Sequence, residues 1–390
     1  MKSTSKITWL NSTILGIGMA SLFADIGHEM ATAAMPAFLA SIGASSALVG
    51  IIEGLADGFS SFAKMFSGIY SDRLEKRKPI AVIGYFLTAS GMASFAFAHQ
   101  WGQVLCGRVF GWIGRGIRTP VRNVLLTEAT TPETYGRAFG LERSMDTIGA
   151  VIGPVFALLL VPLVGLRHIF LFTLIPGLIA AFCISFLVKE KQHAPQVKIP
   201  FWVGMKSLPV HFRRYLCGIG IAGVGDFSKT LLILWTTQAL TPTYGITKAA
   251  FWAIFFYIFY NIVDVISCYI SGHLADRFPK RHVLSFGYLL AMIPAIALML
   301  PGASFVKFAI IFGFSGIYMG ILDTVTSATA AELIPANIKG TGFGVLATVN
   351  GLGDLVSSIV VGCLWVVSPM AAMGFVILTA LVGAVIIERS

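Results

Sequence analysis

The sequence predicts an all-α integral membrane protein with twelve transmembrane helices in two pseudo-symmetric six-helix bundles. Hydrophobic residues make up 56% of the 390 residues and charged residues only 12%, about half the ~25% charged content of soluble domains. Most apolar runs last about 20 residues, which is enough for a helix to cross ~30 Å of hydrocarbon. A third observation, a repeat of signature residues in the two halves, is described below.

Twelve apolar runs fit as membrane spans, and most connections between them are short. The predicted spans cover residues 9–36, 46–70, 79–98, 102–127, 138–162, 168–188, 215–238, 249–272, 282–300, 305–330, 340–366 and 370–387. The longest connection is basic, contains proline and leaves six spans on either side of it. We therefore predict an N-terminal bundle over 1–188, a cytoplasmic linker over 189–214 and a C-terminal bundle over 215–390.

The net charge of +10 does not indicate nucleic-acid binding, because the basic residues follow a membrane topology. Of the 28 Lys and Arg residues, 18 lie at the termini or in alternate connections, and only Arg167, Lys248 and Lys307 lie in the other connections. This positive-inside bias predicts a multi-pass protein of a bacterial inner membrane with both termini in the cytoplasm. The first apolar run lacks a small-x-small cleavage site, so we expect an uncleaved first helix. We expect a monomer.

No cofactor or resident metal is expected, and the chain is not predicted to be an enzyme. The five cysteines are scattered through apolar runs and fit buried small hydrophobes better than a metal cluster. The sequence contains no Walker loop, and its GVGDF and GLGD stretches lie inside apolar spans without the strand of a dinucleotide fingerprint. A membrane enzyme or a receptor is an alternative class, but it leaves the charges within the spans without a role.

The two halves of the chain look like copies of each other at a constant offset of 204 positions. In one region Gly68, Asp72, Arg73, Lys76 and Arg77 match Gly272, Asp276, Arg277, Lys280 and Arg281. In a second region Glu128, Gly136, Phe139, Gly140 and Gly149 match Glu332, Gly340, Phe343, Gly344 and Gly353. Parallel six-helix repeats predict a transporter whose site lies between the halves, near the bilayer midplane.

The repeated loop resembles the signature of the major facilitator superfamily. GIYSDRLEKRK at 68–78 and GHLADRFPKR at 272–281 are similar to its G-x-x-x-D-R-x-x-x-R-[KR] motif. RGIRTPVRN resembles the arginine-bearing fourth helix of its proton-coupled members, and GAVIGP resembles the fifth-helix motif of its exporters. The resemblance implies alternating access of two bundles around a central site.

The loop signature also implies a cytoplasmic latch that breaks when the central cavity opens inward. Asp72 is expected to accept from exposed backbone N–H groups or to pair with Arg, and Arg73 is expected to pair with Glu128. The expected latch residues are Gly68, Asp72, Arg73 and Glu128, with Gly272, Asp276, Arg277 and Glu332 in the second half. The alternative is a basic loop that sets topology and has no gating role.

Charged residues within the spans are the candidates for substrate binding, because charge in a membrane is costly and usually faces a bundle interior or water. Arg115, Arg118 and Arg122 share one face of the fourth span, and Arg forks fit carboxylate and phosphate. The full candidate set is Asp25, His28, Glu29, Arg115, Arg118 and Arg122 in the first half, with Asp226, Lys229 and Asp323 in the second. Ion pairs such as Asp226 with Lys229 are the structural alternative.

The acids within the spans are also candidates for proton coupling, because burial and an arriving cation move a carboxyl pKa in opposite directions. These candidates are Asp25, Asp57, Asp146, Asp226, Asp264 and Asp354. For four other charged residues within the spans, the alternative to a functional role is a structural ion-pair network. These residues are Glu53, Arg108, Glu142 and Arg143.

The sequence therefore predicts a secondary transporter that is coupled to protons and moves a small solute, for which the arginine face suggests an anion. A multidrug antiporter that exports lipophilic cations is the first alternative, since the spans are rich in Phe and acids. A carrier of divalent metal or metal chelate is a further alternative, based on Asp25, His28 and Glu29.

Overall fold

The computed structural model describes residues 9–44, 46–190, 208–226 and 229–390, and the regular elements within them are helices. Contacts within the chain divide it into two compact units. Unit 1 is Met1–Leu208 with Ala330–Thr348, and unit 2 is Pro209–Thr329 with Val349–Ser390. Most of the predicted linker 189–214 lies outside the described residues, so the predicted domain boundaries stay a prediction.

The first half of the chain contains six helices. They are α1 (Ser12–Ser41), α2 (Ser46–Ser71), α3 (Lys78–Ala93, continued by a 3₁₀ turn at Ser94–Phe97), α4 (Trp101–Glu128), α5 (Tyr135–Phe172) and α6 (Leu174–Leu187). α1 starts where Asn11 caps it, because the Asn11 carboxamide accepts from the backbone N–H groups of Thr13 and Ile14. α5 contains two spans, which meet at a kink where Gly165 has φ 80°.

The second half contains eight described helices, because two of its spans are broken. They are α7 (Val210–Gly223), α8 (Lys229–Tyr244), α9 (Ile246–Arg277), α10 (Lys280–Leu290), α11 (Met292–Met299), α12 (Phe305–Leu333), α13 (Lys339–Val367) and α14 (Pro369–Glu388). α7 and α8 together form the seventh span, and α10 and α11 form the ninth. The kinked α5 contains the fifth span and part of the sixth. The described helices therefore form twelve spans.

Length and composition mark these helices as membrane elements. Seven helical segments of the described chain are long and apolar enough to cross a bilayer, and one of them, Pro132–Leu187, holds two spans. Large apolar side chains on the helix surfaces, such as Leu163 (79% exposed) and Leu158 (75% exposed), fit contact with lipid tails.

Glycine allows close helix packing where the charged residues of unit 1 lie. A Cβ on Gly153 of α5 would lie 2.7 Å from the carbonyl oxygen of Ile26 on α1, and a Cβ on Gly84 of α3 would lie 2.8 Å from that of Gly114 on α4. Small residues are the usual means of close helix packing in membranes. These close approaches place Asp25 beside α5 and Tyr85 next to Arg118 of α4.

Candidate functional site

Arg118 is a buried cation of α4 without an ion pair among the described residues. Its exposed fraction is 2%, and its Nε and Nη1 atoms have no hydrogen-bond partner in the described chain. The guanidinium carbon lies 4.1 Å from the centre of the Tyr85 ring, so a cation–π contact offsets part of its desolvation. A buried charge usually has an ionic partner. Arg118 is therefore suited to receive an anionic group.

Arg115 lies one turn before Arg118 and makes a loose contact with Asp25 of α1. The Nη2 atom of Arg115 is 3.8 Å from Oδ1 of Asp25, and this oxygen accepts no hydrogen bond among the described residues. Asp25 is 4% exposed, whereas the side chain of Arg115 is 30% exposed. The separation is long for a salt bridge with hydrogen bonds. A ligand or a proton is therefore able to replace either partner of this contact.

Arg122 is held in a tight buried network, unlike Arg118. Its Nη1 atom lies 2.7 Å from Oε1 of Glu142 and donates to the Ser21 hydroxyl at 3.0 Å. The Ser21 hydroxyl in turn donates to the same Glu142 oxygen at 2.7 Å. Arg143 and Asp146 extend the network at 3.4 Å. These contacts favour a structural role for Arg122 over the predicted substrate role.

Arg108 and Glu53 form a second tight pair, between α4 and α2. The Nη2 atom of Arg108 donates to both carboxylate oxygens of Glu53, at 2.7 and 2.9 Å, and Nη1 donates to the Thr32 hydroxyl. The guanidinium carbon also lies 3.7 Å from the centre of the Trp112 ring. This geometry supports the structural interpretation of Arg108 and Glu53.

Trp112 connects several of the predicted candidates. Its Nε1–H donates to Oδ1 of Asp57 at 2.6 Å, and its ring centre lies 4.4 Å from that of His28. The Nε2 atom of His28 is 3.5 Å from Oε1 of Glu29, and its Nδ1 atom has no hydrogen-bond partner among the described residues. Within the described ranges, no group of three or more His, Cys, Asp or Glu side chains is placed to hold a metal ion.

The loop signature of the first half contacts the start of α13 within unit 1. Asp72 accepts from the backbone N–H of Gly340 at 2.7 Å and from that of Thr341 at 2.6 Å. A carboxylate at these groups satisfies free helix donors and meets the positive end of the helix dipole. Burial raises the pKa of Asp72, while its hydrogen bonds to Thr341 and Gly340 and the charge of Arg77 oppose that shift.

Other residues of the signature surround this contact. Gly68 allows close approach, because a Cβ there would lie 2.9 Å from the Cα of Gly344. The carboxylate of Glu128 lies 2.6 Å from Nη1 of Arg77, so Arg77 contacts the acid for which we predicted Arg73 as partner. The repeat counterparts lie at helix ends: Gly272, Asp276 and Arg277 in the last turns of α9, and Glu332 near the end of α12.

Asp226 of unit 2 lies in the break between α7 and α8. Its Oδ1 atom accepts from the Tyr318 hydroxyl at 3.2 Å, and its backbone oxygen accepts from Ser357. The side chain of Lys229 lies outside the described residues. Asp264, on α9, is 1% exposed and accepts from the Cys268 thiol at 3.5 Å. Asp323 and Asp354 lie on α12 and α13.

Residues 17–358 of the sequence match the family model of the major facilitator superfamily. The chain belongs to the major facilitator superfamily. Members of this superfamily are membrane transporters of small molecules and not enzymes. The predictions of family, of an all-α twelve-span fold and of a non-enzyme are therefore confirmed.

Two relatives of this superfamily chain are named as a transporter and as a multidrug resistance protein. The chain is 28% identical over 364 residues to an uncharacterized MFS-type transporter, MJ1317, of Methanocaldococcus jannaschii, which covers 92% of this chain and 90% of the relative. It is 34% identical to the multidrug resistance protein MdtH of Cronobacter sakazakii, but over 116 residues only, 30% of this chain and 29% of MdtH.

Two solved transporter structures share the fold. The human organic anion transporter MFSD10 (TETRAN) has a TM-score of 0.80 at 14% identity, covering 96% of this chain and 99% of its own. The E. coli fucose:proton symporter FucP has a TM-score of 0.77 at 17% identity, and the match covers 96% of this chain and 98% of the FucP chain. At these identities the likeness establishes the fold alone.

Several residues of this superfamily chain that contact the predicted candidates were missed by the sequence analysis. Tyr85, Trp112 and Ser21 contact the arginines in unit 1, and Tyr318 contacts Asp226 in unit 2. Trp112 offered a signal, because it lies three positions before Arg115 and four after Arg108, on the same helix face. The other three come from different helices, so no spacing in the sequence marks them.

Proposed function

We propose that this protein is a secondary transporter that carries a small organic anion, with a carboxylate or phosphate group, together with a proton by alternating access. The observation that carries the proposal is Arg118, a buried guanidinium of α4 with two nitrogen atoms that have no partner among the described residues. A guanidinium fork fits the planar oxygens of a carboxylate or the oxygens of a phosphate. Bound substrate would supply the ionic partner that Arg118 lacks in the described chain.

Coupling to protons follows from the loose contact between Asp25 and Arg115. While Asp25 is ionised, its charge attracts the Arg115 guanidinium across 3.8 Å. Protonation of Asp25 removes that attraction and leaves Arg115, one turn from Arg118, available to the same anion. Anion and proton then bind with positive cooperativity, which by linkage means that each raises the affinity for the other. The expected mode is symport.

The tight ion pairs in unit 1 support this division of roles. Glu53, Glu142 and Asp146 lie within salt-bridge distance of Arg108, Arg122 and Arg143 respectively, which leaves the region around Arg115 and Arg118 for ligand. The solved neighbours are consistent with the proposal, since one is described as an organic anion transporter and another as a fucose:proton symporter. Their shared fold supports alternating access, whereas the substrates in their names are properties of those two proteins.

We place the protein in a bacterial inner membrane, as a monomer with both termini in the cytoplasm, on the basis of the positive-inside charge pattern. The loop that contains Asp72 then lies at the cytoplasmic face. Its contact with the N-terminus of α13 is our candidate for the latch that must open during the transport cycle.

The proposal is tested by ligand binding and flux with purified protein. A thermal-shift screen against carboxylates and phosphates identifies stabilising anions by mass action. The best anion is then followed into proteoliposomes with and without an inward proton gradient. Arg118→Gln should weaken anion binding by on the order of 100-fold and abolish uptake. Arg214→Gln, at an exposed arginine of α7, serves as the control for general loss of positive charge. Anion uptake that survives Arg118→Gln would contradict the proposal.

The second candidate function is efflux of lipophilic cations, and the partial likeness to MdtH favours it. The two functions make opposite predictions for one variant. Arg115→Ala should abolish anion transport, because it removes one of two guanidinium groups. The same change should spare or improve cation efflux, because it removes a repulsive charge and leaves Asp25 without that counter-ion.

A further inference from the structure

Unit 1 contains a small cavity between α1, α3 and the junction of α5 with α6. Every residue that lines it is buried. Four of the lining residues carry a hydrogen-bonding side chain, namely His28, Tyr85, Thr88 and Thr173, and the others are small or apolar. The cavity has room for about one water molecule.

Two polar atoms of the lining residues have no hydrogen-bond partner among the described residues. They are Nδ1 of His28 and the hydroxyl oxygen of Tyr85. His28 is 4% exposed and Tyr85 is 1% exposed, so both side chains are shielded from bulk water. A buried polar atom that forms no hydrogen bond is costly, and native structures rarely leave one unpaired. Two such atoms at one cavity indicate a ligand that bonds to both.

The surroundings of His28 indicate which of its ring nitrogens carries the hydrogen. Nε2 lies 3.5 Å from Oε1 of Glu29, and the imidazole packs against Trp112 with 4.4 Å between the ring centres. A hydrogen on Nε2 faces the carboxylate, which favours this tautomer of the neutral imidazole. Nδ1 is then an acceptor, and a ligand in the cavity has to supply its donor.

The two threonines are arranged to accept from the same ligand. Each threonine hydroxyl donates to a backbone carbonyl of the preceding turn, at 2.9 Å for Thr88 and 2.6 Å for Thr173. The one hydrogen of each hydroxyl is thereby used, and its oxygen lone pairs are left to accept. The cavity therefore offers one donor, the Tyr85 hydroxyl, and three acceptors. Water fits this set, because it donates twice and accepts as well.

Close helix packing around the cavity excludes larger ligands. A Cβ on Gly27 of α1 would lie 2.9 Å from the Thr173 carbonyl oxygen, and a Cβ on Gly177 of α6 would collide with Ala89 of α3. Glycine at both positions lets the start of α6 approach α1 and α3 closely. The space left between these helices therefore admits only a small molecule.

We propose that one water molecule occupies this cavity, where it accepts from the hydroxyl of Tyr85 and donates to Nδ1 of His28. Its second hydrogen bonds to Thr88 or Thr173, which completes the three hydrogen bonds typical of buried water. The bridge joins α1 to α3 and fixes the Tyr85 ring, against which Arg118 lies. The site goes beyond the proposed function, because it binds solvent inside unit 1 and needs no transported anion.

The direct test is a high-resolution structure of the purified full-length protein without added anion. We expect a density peak for water within hydrogen-bond distance of both Nδ1 of His28 and the Tyr85 hydroxyl. A cavity without such a peak would overturn the proposal, and so would a direct hydrogen bond between His28 and Tyr85.

Two substitutions of His28 separate the bridge from a general role of the ring. The side-chain amide of Asn reaches the position of Nδ1, whereas that of Gln reaches the position of Nε2. Tyr85→Phe should therefore lower the midpoint of thermal unfolding in wild type and in His28→Asn, and should have at most about half that effect in His28→Gln. Tyr70→Phe, at an exposed tyrosine of α2, is the control and should leave the midpoint unchanged.

The water site and the anion site fail through different results. Equal losses from Tyr85→Phe in wild type and in His28→Gln would contradict a shared water molecule. If His28→Gln does not fold, the density peak decides the question. Neither measurement involves anion binding, so neither bears on the effect of Arg118→Gln.

Discussion

Arg118 lies against the ring of Tyr85, with 4.1 Å between the guanidinium carbon and the ring centre, while no acidic side chain of the described residues comes within salt-bridge distance. Four residues along the same helix, Arg122 lies 2.7 Å from the carboxylate of Glu142. Two buried arginines of one helix face thus differ in whether the protein supplies their counter-ion. We infer that the first is a ligand site and the second holds the bundle together.

Replacing Arg118 should affect ligand binding much more than stability. Arg118→Gln removes a buried cation that has no ion pair in the described chain, so the midpoint of thermal unfolding should stay the same or rise. Affinity for the transported anion should fall by on the order of 100-fold, which corresponds to ~2.7 kcal/mol. Thermal unfolding with and without anion measures both quantities. A large loss of stability without ligand would show that Arg118 has a structural role.

Arg122 should behave in the opposite way. Arg122→Met leaves the buried Glu142 carboxylate with only its longer contact to Arg143, at 3.6 Å. Loss of the closer partner costs about 3–5 kcal/mol of unfolding free energy by analogy with other broken buried pairs. The double variant Arg122→Met with Glu142→Leu should recover most of that loss, because no charge is left unpaired. Denaturant unfolding in detergent provides the double-mutant cycle. Additive losses in the double variant would contradict the pairing.

Asp25→Asn should separate anion binding from proton coupling. The amide cannot ionise, so Arg115 stays available and anion affinity should become nearly independent of pH, at the value that wild type reaches in acid. Exchange of labelled for unlabelled anion should continue, whereas a proton gradient should no longer drive accumulation. Parallel exchange and uptake assays in proteoliposomes check this. Undiminished proton-driven accumulation would exclude Asp25 as the coupling residue.

Asp72 should give stability a characteristic dependence on pH. Because burial raises its pKa above the ordinary value of 3.8, the folded chain holds this proton more tightly than the unfolded chain. The resulting stabilisation is full below pH 3.8 and is lost as pH rises through the raised pKa. Asp72→Asn cannot titrate, so the fall in its unfolding midpoint over that interval should be smaller than in wild type. Equal slopes would contradict the assignment.

A substitution at Gly153 tests the packing of α5 against α1 that supports Asp25 and Glu29. In Gly153→Ala the new Cβ would lie 2.7 Å from the Ile26 carbonyl oxygen and 2.9 Å from the Glu29 Cβ, so α1 and α5 must separate. We expect a loss of about 1–3 kcal/mol of stability. Gly58→Ala is the matched control, since nothing lies within 4 Å of its added Cβ, and it should gain up to about 1 kcal/mol because alanine favours helices. Similar effects of the two changes would contradict this packing.

The sequence was informative where local rules decide the structure. Span length and apolar composition predicted the twelve helices, and the i, i+3, i+7 spacing predicted the arginine face of α4. Asp72 was expected to accept from helix N–H groups, and it accepts from those of Gly340 and Thr341. These successes rest on periodicity and on helix-end chemistry, which are properties of short stretches.

Partners from distant helices could not be predicted in the same way. Spacing places Arg115, Arg118 and Arg122 on one face, but Asp25, Tyr85 and Glu142 decide their different environments, and these residues lie on α1, α3 and α5. The break between α7 and α8 was also missed, since GVGD has enough apolar character to continue a span. Glycines at close helix approaches were visible in the sequence, but their contacts were not.

The most direct measurement of the central claim is anion uptake by proteoliposomes under an imposed inward proton gradient, with wild type and Arg118→Gln measured side by side on the anion that stabilises the protein best. We predict that wild type accumulates the anion above its external concentration, that dissipating the gradient abolishes accumulation, and that Arg118→Gln takes up no more than empty vesicles. Accumulation that ignores the gradient, or that persists in Arg118→Gln, would contradict the claim.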